Sequence, residues 1–165
     1  MYDVVLLVEE ELTERDALRV AELHREALDG VRYHLVLPCD NLTASIEAGL
    51  ANLYVMGPAD QQVELAAEAQ RSVDEQAAAS LARSIQRLTA LGRLADGSIT
   101  HERPIDAVCE LVKRVDGQAV VILTRPHVVA EFFHADWSAQ ARRHLGVPVV
   151  HLLEQNNGPR PATAS

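Results

Sequence analysis

The chain alternates between short apolar runs and longer amphipathic stretches. Asp3 to Val8 is a continuous β-branched and leucine-rich run, the pattern of a strand covered on both faces. Thr13 then opens a helix, with Glu14 and Asp16 suited to its positive N-terminal end. Leu18, Ala21 and Leu28 supply the apolar stripe of that helix, and Gly30 stops it. Val31 to Leu37 is a second strand, ended by Pro38. Ala44 to Met56 reads as a helix or, around Leu53 to Met56, as a strand. After Gly57 and Pro58, a stretch rich in Ala, Gln and Glu runs to Leu91, with Ala77, Leu81, Ile85 and Leu88 at helical spacing. One unbroken helix over that stretch would be roughly 45 Å long, so a break or a projecting first half is expected.

The last third repeats the alternation more plainly. Gly92 ends the long helix, and Ala95 to Glu102 is a third strand in spite of Gly97. Pro104 suits a first helical turn, and Ile105, Val108, Cys109 and Val112 trace one face of the helix that follows. Ala119 to Thr124 is a fourth buried strand. A further helix covers at least Trp137 to Leu145, Gly146 closes it, and Val147 to Leu153 is the fifth strand. The expectation is one α/β domain over residues 1–154, a doubly wound, mainly parallel five-stranded sheet with helices on both faces. The polar segment 155–165 is expected to be a disordered tail.

Composition narrows the function. At 165 residues the chain is long enough for one sizeable core. Aromatic residues are only 4%, so that core is aliphatic. The formal net charge of −9 repels nucleic acid and anionic lipid, and the densest basic cluster, Arg142, Arg143 and His144, is small. No apolar run approaches a membrane span, and no charged leader with an apolar segment opens the sequence, so a cytoplasmic location is expected. Cys39 and Cys109 stand far apart, in no metal or redox spacing, and Cys109 falls on an apolar helical face as a buried small thiol.

In an open α/β sheet, ligands sit beyond the carboxyl ends of the strands, where strand order reverses. That directs attention to Glu9 to Leu12 after the first strand and to Arg125 to Asp136 after the fourth. The second segment gathers Arg125, His127, Glu131, His134, Asp136 and Ser138 among Phe132, Phe133 and Trp137. Phe133, Trp137 and Ala141 recur at the spacing of an ordinary helix-to-sheet contact. Arg125 and His127 stand just beyond a buried strand, where side chains point into the crevice. Glu131 and His134 make a Glu-x-x-His pair able to place two metal ligands on one helical face, but no second such pair exists to complete a di-metal site. Ser138, His134 and Asp136 have the residue types of a hydrolase triad without the Gly-x-Ser-x-Gly elbow, and positions i and i+2 of a helix face apart, which argues against nucleophilic catalysis.

The element order, and especially Ala119-Val-Val-Ile-Leu-Thr124 followed by a loop, a helix and Gly146-Val-Pro-Val-Val-His151, resembles the universal stress protein family over Tyr2 to about Glu154. The resemblance implies a small doubly wound α/β fold, usually dimeric. Its nucleotide-binding members follow the fourth strand with a glycine-rich loop, and a Gly-Ser or Gly-Thr pair then begins the next helix and holds the phosphates. Here Thr124 to Ser138 contains no glycine, and Ala135 and Asp136 occupy the place of the Gly-Ser pair. Asp136 as N-cap would fill the anion seat with its own carboxylate, and Glu9, Glu10 and Glu11 add negative charge at the same end of the sheet. The expectation is therefore a non-catalytic sensor or interaction module that binds no cofactor and takes no ATP in the usual way. It would be a homodimer paired through Val147 to Leu153. The alternatives are a small-molecule enzyme around Arg125, His127 and His134, with Glu9, Glu131, Asp136 and Ser138 as further ligand-binding candidates, and an adenine-nucleotide binder with altered contacts.

Overall fold

The computed structural model describes residues 1–27, 30–39, 59–125 and 143–155. The readings for 44–56 and for the tail beyond 155 lie outside them. The elements are β1 (Tyr2–Val8), α1 (Glu14–Leu23), β2 (Val31–Pro38), α2 (Ala59–Ala90), β3 (Leu94–Thr100), α3 (Pro104–Val115), β4 (Ala119–Thr124) and β5 (Val149–Leu153). Arg143 to Leu145 are helical as well, at the end of the helix expected there.

The five strands form one all-parallel sheet in the order β3-β2-β1-β4-β5. Chain order reverses between β1 and β4, which makes the crevice beyond their carboxyl ends the topological switch point. Alternate residues of the central strands face opposite layers. Val4, Leu6, Val8, Tyr33, Leu35, Leu37, Val121 and Leu123 pack on one face with Ala17 and Val20 of α1 and Ala77, Leu81 and Leu88 of α2. Val5, Leu7, Val36, Val120 and Ile122 pack on the other with Val108, Leu111 and Val112 of α3. Covered on both sides, β1 from Val4 to Val8 and β4 from Ala119 to Leu123 are continuous apolar runs.

Several local expectations change. Leu18 is exposed rather than part of the α1 stripe, which is made by Ala17, Val20 and Ala21. The small residues let α1 lie close to the sheet, and the larger Leu18 is rotated off that face. Gly30 does not stop α1, which ends at Leu23 with His24 as C-cap. Instead its φ of +81° turns the chain into β2, a conformation glycine adopts without a Cβ clash. Cys109 is half-buried, because the inward positions of α3 are Val108, Leu111 and Val112. The fifth strand begins at Val149, two residues later than expected.

The long helix is continuous. Its 32 residues span about 48 Å, with no break. The first half projects: described side chains up to Ser72 are exposed or half-buried, and burial begins at Val73. The presence of Gly97 inside β3 also has a cause. A Cβ there would stand 2.8 Å from both Leu35 Cβ and the Leu35 carbonyl oxygen, and 3.0 Å from Leu81 Cδ1. Only glycine lets α2 and β2 close on β3 at this point.

Candidate functional site

The crevice is built outward from the ends of β1, β4 and β5. Thr13 caps α1: its hydroxyl oxygen accepts the Asp16 N–H at 3.1 Å, and the hydroxyl donates to Asp16 Oδ2 at 2.8 Å. Asp16 is almost fully buried, and its other oxygen receives Arg19 at 3.1 Å. The Arg19 guanidinium also donates to the Leu153 carbonyl at 2.7 Å, tying α1 to the end of β5. Beyond β5, the Glu154 N–H continues the ladder onto Thr124 O at 2.8 Å, which carries the Glu154 carboxylate under the crevice.

Glu9 and Arg125, the two described members of the expected ligand set, meet here. Glu9 Oε2 accepts the Arg125 backbone N–H at 2.9 Å, and the Glu9 N–H donates to Leu123 O at 3.3 Å. The Arg125 guanidinium lies against Glu10 and has Nε 3.8 Å from Glu154 Oε2. His127, Glu131, His134, Asp136 and Ser138 lie outside the described residues. The described floor of the crevice thus holds Glu9, Glu10, Glu154 and Asp16 around two guanidiniums, each already engaged.

Glu154 is not among the site residues expected from the sequence. Burial, reinforced by the charges of Glu9 and Asp16 and only partly offset by Arg125, pushes its carboxyl up to about 7. Its Oε1 is buried and has no hydrogen-bond partner among the described residues. A buried carboxyl shifted toward neutrality next to an arginine marks a candidate functional group. No local pattern signals it, because Glu154 meets Glu9 and Asp16 only through the closing of the sheet.

A second polar layer fixes the first loop against α2. The Leu12 N–H donates to the fully buried Ser84 hydroxyl at 2.9 Å, and Arg87 reaches both the Leu12 carbonyl and Glu11, the latter at 2.5 Å. Arg83 reaches the other Glu11 oxygen at 2.6 Å. Burial alone would raise the Glu11 carboxyl, but the hydrogen bonds and charges of Arg83 and Arg87 outweigh it and hold it below the usual carboxylate range. An open cavity of about 450 Å³ lies beside this layer, lined by Glu11, Leu12, Thr13, Glu14, Arg15 and Arg87.

The histidines to which the sequence assigns no role have structural partners. His34, buried in β2, has Nδ1 2.7 Å from Asp96 and Nε2 2.9 Å from Asp3, bridging three strands near their amino ends. His24 Nδ1 stands 3.1 Å from the Tyr33 hydroxyl, which donates to Val20 O at 2.9 Å. His151 Nε2 is 2.8 Å from Thr124 Oγ1. Burial pushes the Tyr33 phenol up to about 12 and lowers His151. Among the described residues, no helix is long and apolar enough to cross a membrane.

Solved structures share this architecture. The hypothetical protein MJ0577 superposes with a TM-score of 0.63 at 11% identity, covering 94% of this chain and 97% of that one. The universal stress protein from Archaeoglobus fulgidus gives 0.53 at 16% identity, covering 92% and 93%. The same protein in complex with dAMP gives 0.50 at 17% identity, covering 92% and 97%. A universal stress protein family protein from Arabidopsis thaliana with AMP bound gives 0.55 at 13% identity, covering 98% and 97%. The fold is that of the universal stress proteins. No family model and no curated protein sequence matches the chain, so the likeness to universal stress proteins rests on the fold.

Proposed function

We propose that this chain is a non-catalytic sensor or interaction module built on the universal stress protein fold, and that its crevice does not take ATP in the family's usual manner. The observation that carries the reading is the state of Arg125. Its guanidinium faces Glu10 and Glu154, and Glu9 occupies its backbone N–H. An incoming phosphate would have to displace these carboxylates and would then sit among the acidic groups of the crevice floor, in a partly dry site where like charges repel strongly. The missing glycines of Thr124 to Ser138 point the same way.

The second reading, adenine-nucleotide binding with altered contacts, is favoured by the AMP and dAMP bound in two of the structural neighbours. Titration calorimetry of the full chain with AMP, ADP and ATP, with and without magnesium, separates the two. Absence of heat at millimolar nucleotide supports the module. A one-site isotherm that Arg125→Ala abolishes would overturn it.

Self-association belongs to the same reading. β5 is one edge of the sheet, its residues are mostly half-buried apolar groups, and Leu153 is exposed. β3, at the opposite edge, exposes Asp96, Gly97 and Ser98. An apolar edge strand invites a second copy of itself, so two chains would pair through Val147 to Leu153. Sedimentation should show a dimer that Val149→Asp converts to monomer; a monomeric wild type at micromolar concentration would remove the dimer from the reading.

A further inference from the structure

We infer that Cys39, Asp74 and His101 form a binding site for a zinc-type transition-metal ion at the carboxyl ends of β2 and β3. Three elements supply one ligand each. Cys39 follows β2 and is buried, Asp74 stands half-buried on α2, and His101 follows β3 and is exposed. A ligand atom from each lies within 4.8 Å of the other two, and His101 Nε2 is 3.5 Å from Asp74 Oδ1. Ligand atoms around tetrahedral zinc stand about 3.3–3.6 Å apart, so closing the set needs roughly 1 Å of side-chain adjustment. The exposed imidazole can make that movement by rotation.

The donor set selects the ion. A thiolate and an imidazole favour zinc over magnesium or calcium, which prefer oxygen donors throughout. Supporting bonds already orient two ligands. The Cys39 N–H donates to Thr100 O at 2.9 Å, which pins the end of β2 beside the turn carrying His101. Gln70 Nε2 donates to Asp74 Oδ1 at 2.9 Å, one turn earlier on the same helix. Three protein ligands leave a fourth position for water or a small ligand. On binding, the Cys39 thiol gives its proton to solvent and the metal takes the sulfur lone pair, so no oxidant or reductant is required.

The test uses the full chain, stripped with a chelator and dialysed, then titrated with Zn²⁺ against a chromophoric chelator and separately with Co²⁺. One equivalent of Zn²⁺ should bind, and Co²⁺ should give a thiolate charge-transfer band. Cys39→Ser should remove that band, while Asp74→Asn and His101→Ala should each weaken Zn²⁺ binding by about tenfold or more. Cys109→Ser should leave both signals intact. The inference fails if the wild type takes up no stoichiometric Zn²⁺, if His101→Ala binds as the wild type does, or if Cys109→Ser removes the band. The exposed position of His101 separates loss of a ligand from loss of the fold.

Discussion

The carboxyl edge of the sheet has two halves made from the same strand-loop-helix unit, yet they solve the problem of polar groups in opposite ways. Over β1, β4 and β5, acidic residues converge on guanidiniums and saturate them, leaving Glu154 as a carboxyl forced toward neutrality. Over β2 and β3, a thiol, a carboxylate and an imidazole converge. The difference follows from what crosses each half. α2 runs tightly over β3, closely enough that Gly97 has no room for a side chain, and delivers Asp74 to that corner. Over β1 the loop Glu9 to Leu12 turns back toward α2, and its acidic residues meet basic groups from α2 and from the end of β4. A switch-point crevice is thus no guarantee of an anion site; its charge depends on which loops fold into it.

The largest effect should come from closing the tight corner. Gly97→Ala places a methyl group against the Leu35 carbonyl and Cβ, where backbone and not a rotatable side chain must yield. Destabilisation by about 3 kcal/mol is expected in urea unfolding. Removing the third contact with Leu81→Ala should not rescue it, since the Leu35 atoms remain. A Gly97→Ala protein with a wild-type midpoint would show that α2 and β3 are less closely packed than the contrast requires.

The crevice half should announce itself through pH. The Glu154 carboxyl is raised from its ordinary value of 4.5 to about 7 in the folded chain. Below about pH 4.5 it is protonated in both the folded and unfolded states and costs nothing. As pH rises, the unfolded chain ionises it first, and above about 7 the folded chain carries the full cost of a buried charge. Glu154→Gln should therefore stabilise by about 2–3 kcal/mol at roughly pH 8 and have little effect at roughly pH 4, as read by urea unfolding at both values. Equal effects at the two pH values would mean that Glu154 is ordinary and that the two halves do not differ in this respect.

Much of this contrast could not be read along the chain, and the reasons are physical. The buried strand β4 was legible to the residue, because a strand covered on both faces needs successive apolar or small positions, and Ala119 to Thr124 supplies six of them between Gly117 and Pro126. Thr13 and Pro104 announced their helix starts through local chemistry that acts within one turn. Leu18 misled because helical period alone does not distinguish a stripe of small residues, which permits close approach, from one of large residues. The site groups were harder still. Glu154 reaches its neighbours only after β5 docks on β4, and Cys39, Asp74 and His101 come together only when α2 lies across β2 and β3. Motif spacing sees ligands that share a turn or a helix, and these share neither.

The smallest effect is the most discriminating about how the first loop is held between the two halves. Arg83 and Arg87 both bond Glu11, at 2.6 and 2.5 Å, and by charge alone they look equivalent. Only Arg87 also reaches the Leu12 carbonyl, next to the Leu12 N–H that donates to buried Ser84. Loss of Arg87 leaves a part-buried carbonyl without its charged donor, so Arg87→Ala should cost about 2 kcal/mol. Arg83 is half exposed and makes an ion pair open to solvent, so Arg83→Ala should cost about 0.5 kcal/mol and vanish in high salt. If the two substitutions cost the same, the loop is held by Glu11 charge rather than by its backbone. The acidic crevice would then loosen as salt rises, while the corner over β2 and β3 would not.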